Sequence, residues 1–99
     1  MIQAVWQFVV KKEAVERFEQ AYGPDGAWAR LFARHTGFRG TTLLRDAAGA
    51  RTYLTIDVWE SAADRERMMK DAAAEYARLD AAFGDWTESE IQVGIFEVV

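Results

Sequence analysis

The segment FRGTTLLRDAAGARTYLTIDVWE, residues 38–60, predicts two β-strands joined by a tight turn. Residues that favour strands fill Phe38 to Arg45 and Arg51 to Glu60. Between them, Asp46 and Gly49 suit a short hairpin loop in which the glycine is left-handed. The middle of the chain is therefore predicted to form an antiparallel pair of strands.

The elements on either side of this hairpin follow a simple order. Ile2 to Val10 predicts a strand, and apolar residues spaced at three or four predict a helix over residues 12–22. A short second helix begins after Asp25, a long one runs from residue 61 to about 83, and the last strand lies within residues 87–99. The order βαββαβ predicts an α+β fold, the ferredoxin-like plait, as a single domain over residues 1–99.

Side-chain alternation in the second strand of the hairpin predicts which face of the sheet is the core. We expect the core under the helices to receive the wholly apolar face, formed by Leu54, Ile56 and Val58. We expect a partner sheet to cover the mixed face, formed by Tyr53, Thr55, Asp57 and Trp59. Because a monomer rarely leaves such a patch bare, the sequence predicts a homodimer closed sheet to sheet, the dimeric α/β barrel.

Composition excludes several classes of protein. A net charge of −4 is unfavourable for binding nucleic acid, which requires a basic face. The chain has no Cys, so it has no disulfide framework and no thiolate metal site. No apolar run is long enough to span a bilayer, and the chain begins without a basic targeting segment. We expect a cytoplasmic protein with no nucleic-acid or membrane partner.

Several stretches resemble the antibiotic biosynthesis monooxygenase family. They are Phe8–Lys11, Phe18–Glu19, Gly37–Thr41 and, most fully, Tyr53–Ser61. The likeness covers nearly the whole chain, and residues 22–28 resemble an insert of one branch of the family. The resemblance implies the dimeric α/β barrel. It also implies one of several roles, since the family includes cofactor-independent quinol monooxygenases, haem-degrading enzymes and members of unknown role.

The resemblance does not extend to haem chemistry. Haem-degrading members use an Asn on the first strand with a Trp and a His on the second main helix. This chain has no Asn, and its residues 61–83 contain neither Trp nor His. We therefore expect no haem turnover, no metal and no other cofactor.

Oxygenation without a cofactor needs a site that holds a flat aromatic, deprotonates it and excludes water. The candidate catalytic residues are His35, because an ordinary histidine titrates near neutral pH, and Tyr76. Trp28, Phe32 and Met69 are the candidate substrate-binding residues, predicted to wall a pocket between the helices and the sheet. For each of the five, ordinary packing in the core is the alternative.

Four arginines make the middle of this acidic chain locally basic. They could attract an anionic substrate or pair with carboxylates of a partner subunit, although most such charges are simply solvated. They are Arg30, Arg34, Arg39 and Arg45.

Two classes of function stay open at the level of sequence. The first is a cofactor-independent monooxygenase acting on a small aromatic or quinol-type substrate. The second is a non-catalytic dimeric α/β barrel that binds a small hydrophobic ligand or a protein partner; an isomerase or lyase using His35 is a weaker third option. An open apolar cavity holding His35 or Tyr76 favours the first, and a cavity filled by Trp28 and Phe32 favours a structural role.

Overall fold

The chain forms one four-stranded antiparallel sheet with its helices on one face, in a computed structural model that describes all residues 1–99. The strands are β1 (Ile2–Val10), β2 (Phe38–Arg45), β3 (Thr52–Trp59) and β4 (Thr87–Glu97). The helices are α1 (Val15–Tyr22), α2 (Ala27–Ala33), α3 (Ala62–Asp71) and α4 (Ala73–Phe83). The sheet order β2-β3-β1-β4 confirms the ferredoxin-like plait.

The hairpin that the sequence predicts is present at its predicted place. Its strands agree with the predicted bounds to within one residue at each end. Gly49 is left-handed, with φ of 91°, and the Asp46 carboxylate accepts a hydrogen bond from the backbone N–H of Ala48 at 2.9 Å. The turn chemistry of Asp and Gly therefore sets the register of β2 and β3.

The predicted assignment of the two faces of β3 is wrong. Tyr53, Thr55 and Trp59 are all at most 5% exposed and face the helices. The opposite face, without a helix over it, carries the half-buried side chains Leu54, Ile56 and Val58.

The register with β1 explains this reversal. Trp6 lies opposite Thr55, and Phe8 lies opposite Tyr53. Directly opposed residues share a face of a sheet, so the aromatic side of β1 and the mixed side of β3 form one surface. Apolar content within β3 alone is a poor guide because both faces of this sheet are largely apolar.

The predicted long helix is interrupted at Ala72, which gives α3 and α4. Ala72 has φ −104° and ψ 17°, outside the helical region. Ser61 begins α3 as predicted, since its hydroxyl oxygen accepts a hydrogen bond from the backbone N–H of Asp64 at 3.1 Å. The methionine that packs fully into the core is Met68, while Met69 is only half-buried.

The core lies between the helices and the sheet and is rich in aromatic rings. Phe18 of α1 stacks on Tyr22 at 4.2 Å between ring centroids and meets Phe8 of β1 edge to face at 5.3 Å. Trp59, at the end of β3, packs against Phe32 of α2 at 5.7 Å. No helix is both long and apolar enough to cross a membrane.

The sheet face without helices, called here the bare face, is apolar. Leu44, Ile91 and Phe96 are each between 45% and 53% exposed there. The registers place these side chains on the same side as Val5, Val9, Leu54, Ile56 and Val58. A continuous apolar surface of this kind is typical of a subunit interface.

Candidate functional site

A narrow cleft opens between the sheet and the helices. Its floor comes from all four strands, through Trp6, Phe8, Thr41, Thr55, Asp57 and Glu90. Its roof comes from three of the four helices, through Tyr22, Trp28, Phe32, Tyr76 and Asp80. The lining is therefore mostly aromatic, with a few polar groups at fixed places, as in sites for small molecules.

Trp28 is the centre of the roof. Its ring meets Tyr76 edge to face at 4.7 Å and lies 5.9 Å from Phe32, between ring centroids. Gly26 makes this placement possible, because a Cβ there would lie 2.3 Å from the backbone carbonyl oxygens of both Gln20 and Ala21. Only glycine lets the turn after α1 fold this tightly and carry α2 over the sheet.

Small polar side chains make room in the floor. Thr41 and Thr55 are both buried, at 9% and 5% exposed, among much larger aromatic neighbours. Thr41 lies opposite Asp57 in the pairing of β2 with β3, and its hydroxyl donates a hydrogen bond to the Asp57 carboxylate at 2.6 Å. The cleft therefore contains one oriented carboxylate below the aromatic roof.

Among the polar groups of the cleft, Asp57 has the pKa best suited to accepting a proton near neutral pH. Burial raises its pKa from 3.8 to about 6, while the hydrogen bond from Thr41 and the positive charge of Arg65 offset part of the rise. Such a carboxylate is largely ionised at neutral pH and accepts a proton more readily than an exposed aspartate. It is suited to act as a general base.

The phenols of the roof remain protonated. Burial raises the pKa of Tyr76 to about 12, and the nearby Asp80 charge adds to the rise. Burial also raises the pKa of Tyr22, partly offset by the indole N–H of Trp28. Near neutral pH, both hydroxyls are therefore hydrogen-bond donors rather than bases.

The Trp28 N–H has no acceptor. Its Nε1 atom is fully buried in the roof and makes no hydrogen bond. This N–H is close enough to the Tyr22 hydroxyl to lower the pKa of that hydroxyl, but the two groups do not form a hydrogen bond. A buried donor without a partner is costly, so an acceptor atom in the cleft would be favourable.

The cleft is narrow. Its free volume, counted where the centre of a water molecule fits, is about 30 Å³. That space holds one or two water molecules. An aromatic ligand can enter only if roof side chains move.

This chain matches a known protein family. A family model described as antibiotic biosynthesis monooxygenase matches residues 1–78. The chain belongs to the antibiotic biosynthesis monooxygenase family. Its members are generally dimeric and monooxygenase-like. No curated protein sequence matches this chain.

Solved structures agree with the family. SnoaB, a cofactor-independent oxygenase from Streptomyces nogalater, is 26% identical, with a TM-score of 0.79 over 99% of this chain and 92% of that one. A Bordetella bronchiseptica protein assigned to the same monooxygenases is 23% identical, with a TM-score of 0.77 over 99% and 96% of the two chains. One from Nitrosomonas europaea is 18% identical, with a TM-score of 0.72 over 100% and 99%. The last two likenesses show the fold alone.

The structure of this antibiotic biosynthesis monooxygenase family member brings together three of the five predicted site residues. Trp28, Phe32 and Tyr76 all line the cleft. His35 and Met69 do not. His35 follows α2 and is half-buried, and its backbone N–H donates to the carbonyl oxygen of Phe32 at 3.0 Å. No three His, Asp or Glu side chains are arranged as a metal site.

Sequence reasoning missed Asp57 and Thr41. The misassigned faces of β3 placed Asp57 at a partner sheet rather than under the helices. The alternation of side chains along β3 does carry a signal for this position, because Asp57 shares its face with Tyr53 and Trp59, whose rings suit a core. Only the pairing with β1 decides which face meets the helices. Glu90 is exposed and also lines the cleft, at its mouth.

Proposed function

We propose that this chain is a cofactor-independent oxygenase that binds a flat, hydroxylated aromatic in the cleft and uses Asp57 as the base. The observation that carries the proposal is the Asp57 carboxylate, held by Thr41 beneath a roof of aromatic rings. The 26% identity to a cofactor-independent oxygenase over nearly the whole chain supports the same reaction class.

The roof orients the substrate. Trp28 and Phe32 offer ring faces and edges to a planar ligand, and the Tyr76 hydroxyl is a donor for a keto or phenol oxygen. A donor placed there stabilises the negative charge that develops on that oxygen when the ring system loses a proton. Asp57 in the floor accepts that proton.

The proposed chemistry balances without a cofactor. For an anthrone, ionised Asp57 removes a proton from the ring methylene, and the resulting carbanion transfers an electron to O₂. The two radicals combine through a new C–O bond, and the peroxide takes the proton back from Asp57. Loss of water, with the second methylene hydrogen, leaves a carbonyl group. One O₂ is consumed, with one atom in the product and one in water.

Opening of the roof is part of this proposal. Because the free volume is about 30 Å³, the rings of Trp28 and Tyr76 must move apart to admit a substrate. Side-chain rotations of this kind are common when small ligands bind. Binding should therefore change the fluorescence of Trp28, one of the four tryptophans in the chain.

The reaction is tested with purified protein treated with a metal chelator and checked for the absence of flavin. Anthrone and quinol compounds are supplied in air-saturated buffer, and oxygen uptake and product are measured together. We expect equimolar O₂ consumption and product, at a rate proportional to protein. Uptake that appears only when metal or flavin is added back would contradict the proposal.

A non-catalytic ligand-binding barrel is the second candidate. The small free volume favours it, because a packed roof of aromatic rings is also what a structural core requires. The same experiment separates the two: ligand-dependent changes in fluorescence without any oxygen uptake would support binding alone.

We also infer that the chain is a homodimer closed through the bare face. Leu44, Ile91 and Phe96 are exposed there beside half-buried Val5 and Ile56. Burying such a surface contributes roughly 25 cal/mol per Å². The proposed interface is still the sheet face away from the helices, as expected from sequence, but that face carries Leu54, Ile56 and Val58 rather than the mixed face of β3. Sedimentation equilibrium at micromolar concentration should give twice the monomer mass, and a clean monomer would overturn the inference.

A further inference from the structure

The charged groups of the cleft all have one sign. Its ionisable carboxylates are Asp57 in the floor and Asp80 and Glu90 at the mouth. No Lys, Arg or His lines it. Arg65 influences Asp57 and Tyr76 through its charge but is not part of the lining.

Asp80 and Glu90 come from different elements and are both unpaired. Asp80 lies on α4 and Glu90 on β4, and neither takes part in an ion pair. Partial burial raises the pKa of Glu90, and the charge of Asp80 raises it further. Partial burial also raises the pKa of Asp80. The two carboxylates therefore both contribute to the negative potential at the mouth of the cleft.

Arginines that could neutralise this potential are engaged elsewhere. Arg34 pairs with Glu75, and Arg39 pairs with Glu60. Arg45 lies 3.6 Å from Glu19. The locally basic middle of the chain therefore does not supply positive charge to the cleft.

A second, independent feature indicates what a ligand must offer. The buried N–H of Trp28 in the roof lacks an acceptor. A neutral keto or hydroxyl oxygen satisfies it without adding charge, whereas a carboxylate would bring a negative charge near three others. Like charges repel, and at a mouth that solvent reaches this repulsion is screened by salt.

We propose that Asp80 and Glu90 are specificity-determining residues that favour uncharged, oxygen-bearing aromatic substrates and exclude carboxylated analogues. The proposal deepens the proposed function and rests on it, because it concerns the same cleft. Specificity arises from repulsion of the wrong ligand as well as from contacts with the right one.

The test compares a matched pair of anthrones that differ by one carboxylate. Dissociation constants for both are measured by tryptophan fluorescence at low salt and neutral pH, with wild type, Asp80→Asn, Glu90→Gln and the double variant. Asp71→Asn, an exposed carboxylate on α3, is the control for the same change in net charge. Thermal melts verify that every variant is folded.

We expect wild type to bind the neutral anthrone at least about tenfold more tightly than the carboxylated one. The ratio of the two dissociation constants should fall by about tenfold in the double variant, by less in each single variant, and not at all in Asp71→Asn. About 0.5 M salt should also reduce the ratio in wild type, since salt screens the mouth.

Each contrary result has a distinct meaning. Equal binding of the two anthrones by wild type, or an equal shift for both in the double variant, overturns the specificity proposal while leaving the cleft as the site. Failure of both compounds to bind overturns this proposal together with the proposed function.

Discussion

At the scale of single residues, burial of Asp57 lowers the stability of the fold and also gives its carboxylate a pKa suited to a general base. The groups that act on it are Thr41 on β2 and Arg65 on α3, and its own charge acts on Tyr76 on α4. Thr41 and Arg65 favour the charged form, but burial outweighs them, so the pKa is about 6. A group whose pKa rises on folding loses stability between its unfolded and folded pKa values. The ionised carboxylate that the reaction needs therefore destabilises the protein at neutral pH.

Replacing Asp57 with asparagine should stabilise the fold above pH 6. The new amide oxygen still accepts the Thr41 hydrogen bond, and the buried charge is gone, so we expect a gain of up to about 3 kcal/mol near neutral pH. Below the unfolded pKa of 3.8 the gain should vanish, because Asp57 is protonated in both states. Denaturant titrations at the two pH values measure this. Asp71→Asn is the control, and an equal gain at both pH values would refute the burial argument.

Removing the Tyr76 hydroxyl should weaken binding of oxygen-bearing aromatics. Tyr76→Phe keeps the ring that packs on Trp28 but loses the donor, which is worth roughly 1 kcal/mol, or about fivefold in the dissociation constant. Fluorescence titration with an anthrone and with anthracene, which has no oxygen, gives the comparison. Weaker binding of both ligands alike would mean that Tyr76 acts by packing only.

Residue identity alone could predict part of this site. Trp28, Phe32 and Tyr76 are aromatic residues at helical spacing, which favours the inner side of a helix. Asp57 could not be assigned in the same way, because its position depends on which face of β3 meets the helices. That is decided by pairing between residues about fifty positions apart in the chain, as in Ala4 with Asp57.

At the scale of elements, the tight turn between α1 and α2 positions the roof. Gly26→Ala would place a methyl group against two backbone carbonyl oxygens, which cannot move independently of α1. We expect a loss of roughly 1–3 kcal/mol in the free energy of unfolding, together with weaker ligand binding as Trp28 shifts. Gly84→Ala is the matched control, because a Cβ at that position would have no atom within 4 Å and the backbone φ is −58°. Similar losses in both variants would contradict the steric argument.

Elements with strong local signals are those that the sequence predicts well. The Asp-Gly turn sets the hairpin, and Ser61 caps α3, because both rely on side chains a few residues away. The break at Ala72 carries no such signal, since Ala72 and the two residues that follow it are alanines, which favour a helix. Met68 rather than Met69 lies fully in the core.

At the scale of the whole molecule, the bare face determines assembly. Ile56 lies near its middle, half-buried beside Val5 in the pairing of β1 with β3. Ile56→Glu should give a monomer, because two buried carboxylates would face each other across a symmetric interface. Ala77→Glu, which adds the same charge on the exposed side of α4, should leave the mass unchanged. Sedimentation velocity distinguishes the two, and a dimeric Ile56→Glu would place the interface elsewhere.

The oxygen-uptake rate of Asp57→Asn tests whether Asp57 is the base in the cleft. Wild type, Asp57→Asn and Asp71→Asn, all treated with chelator, are compared on one anthrone over a range of pH. We predict that the wild-type rate rises with an apparent pKa near 6. The rate of Asp57→Asn should be at least about a hundredfold lower, and Asp71→Asn should match wild type. Full activity of a folded Asp57→Asn protein would show that Asp57 is not the base.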